Sequence, residues 1–220
     1  MIDAATFKFL RDLDKNNEKE WFEAHRDRYD AALDNVTEVA AQLIDDAASY
    51  DPAIGKLDRE PKKCVSRIHR DMRFQKGKPP YKTDWFVMLG GDPQAGKGAG
   101  YFLHIQPSGS YAGGGLYTPD AETLHRIRER ISKQFSEWKT VAESNRLTSI
   151  VPDGVTPPDE LKTMPHGFDK DDPAAKYLRM KGYVANRALS NADLEGDKAQ
   201  TLIVEAFKAV KPLVAFLNAN

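Results

Sequence analysis

Apolar positions recur along this chain with two different spacings, and the change of spacing outlines the fold. Near the start, Phe7, Leu10 and Leu13 keep helical spacing behind Asp3, an N-cap residue, with Ile2 and Phe7 at the positions of a hydrophobic staple. Asp14 to Asn17 interrupt the pattern. Asn17 and Glu20 stand at capping-box spacing and predict a second, long helix. Its stripe is Phe22, Tyr29, Leu33, Val36, Ala40, Leu43 and Ala47, and Asp51-Pro52 ends it. His25 falls on the stripe and reads as a core or boundary residue. The spacing then changes. Lys62–Arg70, Asp84–Leu89, Tyr101–Gln106 and Ser110–Tyr117 lack a helical stripe and read as strands joined by short connections, which favour antiparallel neighbours. Asp84–Leu89 is apolar on both faces and reads as a central strand.

Helical spacing returns after Thr118-Pro119, with Leu124, Ile127, Ile131, Phe135, Trp138 and Val141. Residues 151–165 are proline-rich and irregular. A short helix with Tyr177 and Leu178 follows Asp172-Pro173, and Gly182–Leu189 reads as a last strand. The C-terminal helix carries Leu202, Ile203, Ala206, Phe207 and Val210, and Pro212 should kink or restart it. Helices, then strands, then helices imply an α+β fold: an antiparallel-rich sheet of four to five strands with flanking N- and C-terminal helices, in a single domain over residues 1–220.

Charge adds what the hydrophobic pattern does not contain. The 220 residues carry a net charge of -1, but residues 59–82 hold nine Lys or Arg against two Asp or Glu, or +7. A basic block in an otherwise acidic chain implies a local anion site rather than bulk coating of nucleic acid. The single cysteine, Cys64, excludes an internal disulfide and fits a reducing compartment. The N-terminal residues lack the apolar run of a signal peptide, and no apolar stretch is long enough to span a membrane. The expectation is a cytoplasmic protein with no membrane partner.

Within the basic block, an extended segment would point Arg67, His69, Asp71 and Arg73 one way and Arg70 the other. Arginine suits bidentate recognition of phosphate or carboxylate, and lysine adds point charge. Gly77, Pro79 and Pro80 form a turn that holds Lys76, Lys78 and Lys82 near the same patch. The plainer alternative is that Asp71 neutralises Arg67 or Arg73 in a structural network. Gly113-Gly114-Gly115 between Tyr111 and Tyr117 permits an anion cradle of backbone N–H groups, or simply a bulge or sheet bend. His104 would lie near these glycines and near His69.

Other motifs carry less. Gly91 to Lys97 matches a phosphate loop, but Gly98 stands where Ser or Thr must bind magnesium, and a strand rather than a helix follows. The histidines, His25, His69, His104, His125 and His166, have no metal-ligand spacing, and there is no nucleophile elbow. His166 and Asp169 form a loop acid–base pair or a helix-entry turn. Nothing calls for a metal or cofactor.

The run Arg67-Ile68-His69-Arg70-Asp71-Met72-Arg73-Phe74, followed by Lys76, Lys78 and Pro80-Tyr81-Lys82, resembles the signature of domain-of-unknown-function family 2461. Asn16-Asn17 with Glu20-Trp21-Phe22, Gly100 to His104, Gly113 to Gly115, Pro119, Gly167 to Lys170, Pro173-Ala174 and Lys181 extend the resemblance over nearly the whole chain. Gln75, Gly77 and Pro79 depart from the family pattern, where polar residues are expected. The resemblance implies one α+β domain and a shared surface built from these motifs. It implies no activity.

Three functional readings follow. In the first, a small phosphate- or carboxylate-bearing ligand is bound or turned over. Arg67, Arg70, Arg73, Lys76 and Lys82 would hold it with Tyr81, Gly113 and Gly114, and His69 and His104 would serve as acid–base or orienting groups. In the second, the patch binds nucleic acid with solvent-facing Phe74, Tyr81 and Tyr111. In the third, the arginines are internally paired and no ligand binds.

Overall fold

The structure is a computed structural model that describes residues 1–56, 59–73, 77–92 and 97–219. In chain order the helices α1 (Ala4–Lys15), α2 (Lys19–Ala24), α3 (Arg26–Tyr50), α4 (Pro52–Gly55) and α5 (Pro61–Cys64) precede the strands β1 (Trp85–Asp92), β2 (Lys97–Ile105) and β3 (Ser110–Leu116). Then come α6 (Ala121–Lys133), α7 (Phe135–Ala142), α8 (Asn145–Ile150), α9 (Ala175–Leu178), β4 (Tyr183–Leu189), α10 (Asn191–Glu195) and α11 (Ala199–Asn218). The strands form a four-stranded antiparallel sheet in the order β1-β2-β3-β4. The architecture is α+β. No helix among the described residues is long and apolar enough to cross a membrane.

The chain divides into two compact units. The first comprises Met1–Leu89, Phe102–Ala112 and Ala188–Val204; the second comprises Gly90–Tyr101, Gly113–Arg187 and Glu205–Asn220. In the first, the stripe of α1 buries Phe7, Phe9, Leu10 and Leu13. Phe9 is a hub, with ring centroids of Trp21, Phe22, Tyr29 and Trp85 6.1–6.5 Å from its own. In the second, the Trp138 ring lies edge-on to Tyr177 at 5.2 Å and to Tyr183 at 5.5 Å, and tilted to Phe216 at 5.1 Å.

Four expectations need correction. Lys62–Arg70 is not a fifth strand: Pro61 opens a helical turn, and only Val65 and His69 make isolated antiparallel bridges, to Val87 and Tyr81. The stretch after Asn17 is two helices, because His25 breaks it. The His25 Nδ1 lies 2.8 Å from the Trp21 carbonyl, the acceptor that the His25 N–H would use in a continuous helix, and that N–H turns to Phe22 instead. Likewise the helix after Pro119 stops at Gln134 and resumes at Phe135, and Asp120, not the proline, caps it by accepting from the Thr123 N–H at 2.7 Å. Finally, β1 is first in the strand order, not central. Its burial alternates: Trp85, Val87 and Leu89 are buried, while Phe86 and Met88 on the other face are half-buried. The helix over Pro212 remains one element, since buried Val210, Leu213 and Val214 around the proline offset the lost backbone bond.

Gly113 and Gly114 are both buried on β3. A Cβ on Gly113 would stand 2.1 Å from the Ala185 carbonyl oxygen, and one on Gly114 2.8 Å from a Val210 methyl. Close approach to β4 and α11 therefore accounts for both glycines. Gly113→Ala should cost about 2–3 kcal/mol, since backbone and not a flexible side chain must yield. Gly55→Ala, whose new methyl meets only the Ala48 Cβ at 3.4 Å, should stay within about 0.5 kcal/mol of wild type. Urea denaturation of the two variants checks the contrast.

Candidate functional site

The basic segment is held by a short antiparallel pairing. The Ser66 N–H donates to the Phe86 carbonyl (2.8 Å), the Arg70 N–H to Pro80 (2.9 Å) and the Lys82 N–H to Ile68 (2.7 Å). These bonds flank the His69–Tyr81 bridge, so the backbone N–H and C=O of Tyr81 point away from the segment. The side-chain amide of Asn17 meets them. Asn17 Nδ2 donates to the Tyr81 carbonyl and Asn17 Oδ1 accepts from the Tyr81 N–H, both at 3.0 Å. Asn17 is thus a one-residue strand partner, not the expected helix cap; Glu18 occupies the N-cap position.

This register sorts the side chains onto two faces. His69 and Tyr81 share one. The Tyr81 ring is 4% exposed and stacks on Phe22 with centroids 4.1 Å apart. It belongs to the core, not to a solvent-facing set of aromatics. His69 is exposed, and packs edge-on against Phe22 and Tyr81 at 5.3 and 5.2 Å.

Ile68, Arg70 and Lys82 take the other face. Asp84 follows two residues after Lys82, and Phe86 two after that. The His104 Nε2 lies 2.9 Å from Asp84 Oδ2. Its ring stacks on Phe86 at 4.3 Å and tilts against Tyr111 at 4.6 Å. His104 is 6% exposed, and its Nδ1 is buried with no hydrogen-bond partner among the described residues. Burial pushes the Asp84 carboxyl up. The hydrogen bond from His104 and the positive charge of His104, Lys82 and Arg70 outweigh that and hold it below the ordinary carboxylate range. An ionised Asp84 accepts a hydrogen bond from His104 Nε2–H. Arg70 also donates through Nε to the Tyr81 carbonyl at 3.2 Å.

The predicted residues therefore separate. His104 bonds Asp84, and the charges of Lys82 and Arg70 act on the same carboxyl. His69 has surroundings of its own, so the two histidines do not form a pair. Arg73 reaches outward and is bidentate to Asp71, with Nη2 2.7 Å from Oδ2 and Nε 2.9 Å from Oδ1. That is the internal pairing foreseen for Asp71, but exposed rather than buried. Arg67 and Lys78 are exposed. Lys76 and Phe74 lie outside the described residues, as do residues 93–96 of the phosphate-loop look-alike; the flanks of that loop are strands. Sequence reasoning passed over Asp84 and Phe86. The signal was there: Lys82, Asp84 and Phe86 alternate at the period of a strand.

The fold defines an α+β protein built on a four-stranded antiparallel sheet. The chain belongs to the family described as conserved hypothetical protein DUF2461, whose profile matches residues 5–216. No curated protein and no solved structure matches it.

Two predictions follow from the geometry. Asn17→Ala leaves the Tyr81 N–H without its partner and the Tyr81 carbonyl with Arg70 Nε alone, and should cost about 1–2 kcal/mol in denaturant unfolding. Asp84 has a depressed folded pKa, so its contribution is full above the unfolded value of about 4 and is lost as pH falls through the folded value. In Asp84→Asn the acid limb of the stability–pH curve should flatten, with no change in slope above about pH 5 from this group.

Proposed function

We propose that this protein binds a small phosphate- or carboxylate-bearing ligand at the face carrying Arg70, Lys82, Asp84 and His104. One observation supports this above the rest: the charges of Arg70 and Lys82 both act on the half-buried Asp84 carboxyl, yet neither cation has a carboxylate within salt-bridge distance among the described residues. Arg70 and Lys82 outnumber the one carboxylate of the cluster, Asp84, so it keeps excess positive charge. Arg70 supplies a planar, partly buried guanidinium steadied by its bond to the Tyr81 carbonyl. His104, oriented by Asp84, is the group for proton exchange with the ligand. Internal pairing with Asp71 accounts for Arg73 but not for Arg70. The single, buried Cys64, whose thiol burial pushes up, supports a cytoplasmic setting.

Nucleic acid is a second reading, favoured by the exposed side chains of Arg67 and Lys78. It requires affinity to fall steeply with salt.

Titration calorimetry with inorganic phosphate and with citrate separates these readings. Arg70→Gln or Lys82→Gln should weaken binding about tenfold or more, a loss typical of a charge-assisted hydrogen bond. Arg73→Gln should leave it unchanged. Loss with Arg73→Gln alone, or no binding of either anion by the wild type, would overturn the proposal.

A further inference from the structure

Asp84 puts a carboxylate into a cluster proposed to take an anion, and its two oxygens are used unequally. Oδ2 receives His104 Nε2 at 2.9 Å. Oδ1 carries no hydrogen bond from any described residue. It is not enclosed with the imidazole: the Asp84 side chain is 25% exposed and that of His104 only 7%. Arg70 and Lys82 are half-buried in the same way. Arg70 uses its Nε on the Tyr81 carbonyl at 3.2 Å. Its two terminal nitrogens, and the Lys82 Nζ, have no hydrogen bond or carboxylate partner among the described residues. The charges of both cations reach the Asp84 carboxyl and, with His104, hold it in the ionised form.

An anion drawn to these two cations therefore meets the field of a carboxylate as well. A bare anionic oxygen set against Oδ1 is like charge against like, which opposes binding. A hydroxyl set there donates a short, charge-assisted O–H···O⁻ bond. An ionised carboxylate can only accept, so the proton has to arrive with the guest. A second protein donor on Oδ1 would have removed this demand, and the described residues supply none. We infer that the anion taken by this site carries its own O–H group, and that Asp84 Oδ1 is the atom that selects it. The ligand class is a hydroxyl-bearing oxyanion. Sulfate, which has no proton to offer, is rejected, and so is a polycarboxylate without a hydroxyl. This rests on the anion-binding reading above and adds selectivity to it. The O–H has two sources, a hydrogen phosphate or a hydroxycarboxylate, which share this chemistry.

The test is titration calorimetry of the full chain with two matched pairs of probes. At about pH 8, inorganic phosphate and sulfate are both tetrahedral dianions, and only phosphate keeps a proton. Citrate and tricarballylate differ by one hydroxyl. In at least one pair the hydroxyl-bearing anion should bind about tenfold or more tighter than its match, the effect of one charge-assisted hydrogen bond. Preference within the phosphate pair identifies hydrogen phosphate as the source; preference within the citrate pair identifies a hydroxycarboxylate; either supports the inference. Asp84→Asn removes the negative charge and can donate as well as accept. It should bring the preferred pair's ratio close to one, chiefly by tightening the hydroxyl-free member. Should Asp84→Asn fail to fold, the wild-type ratios decide. Binding with a ratio near one in both pairs overturns the hydroxyl requirement while leaving the anion site. A preference that survives Asp84→Asn overturns Asp84 as the selecting residue. Absence of binding by all four probes overturns the anion site itself, and its selectivity with it.

Discussion

The side-chain amide of Asn17 holds together what the family motifs scatter along the chain. A non-hydrogen-bonded pair in an antiparallel ladder turns its N–H and C=O outward, and a part-buried pair of this kind must find partners. For Tyr81 that partner is one amide from the loop between α1 and α2. Its donor and acceptor have the spacing of a strand residue, so a single side chain ends the ladder where another strand would begin. The Tyr81 ring is then committed to Phe22, and the alternation of the backbone sends Lys82 to the opposite side.

Electrostatics at the site follow from partial burial rather than from charge count. Arg73 satisfies itself with Asp71 at the surface, where such a pair is worth little. Asp84 is less exposed and costs more to ionise there, so His104, Lys82 and Arg70 must pay for the charge jointly. Arg70 and Lys82 outnumber that one carboxylate, which is the basis of the proposed anion site. The His104 Nδ1 is buried with no hydrogen-bond partner among the described residues, a polar atom inside an aromatic stack.

The glycine triplet shows how one feature supports different readings until packing is known. Three consecutive glycines can cradle an anion or admit a neighbour. Around Gly113 and Gly114 the space is already filled by the Ala185 carbonyl and by Val210, so steric exclusion explains why no side chain stands there. In the second unit the aromatic cluster about Trp138 does the corresponding work by bulk, tying α7, β4 and α11 together with large rings.

Local periodicity was enough to read the α+β class, the stripe of α1, most of α3, β3 and β4, the second half of β2 and the basic character of residues 59–82, because each depends on neighbours a few positions apart. The helix breaks at His25 and Gln134 were not legible: a side chain competing for a backbone acceptor leaves no mark on the hydrophobic pattern. Nor was the loss of the strand at Lys62–Arg70, where an opening proline outweighs the local alternation. Tertiary structure alone decided which cations converge. Alternation already set Arg70 apart from Asp71 and Arg73, but only long-range pairing with residues 80–86 brings the Arg70 Nε to the Tyr81 carbonyl. Orientation across a sheet is fixed by register, and register is set by contacts between residues far apart in the chain.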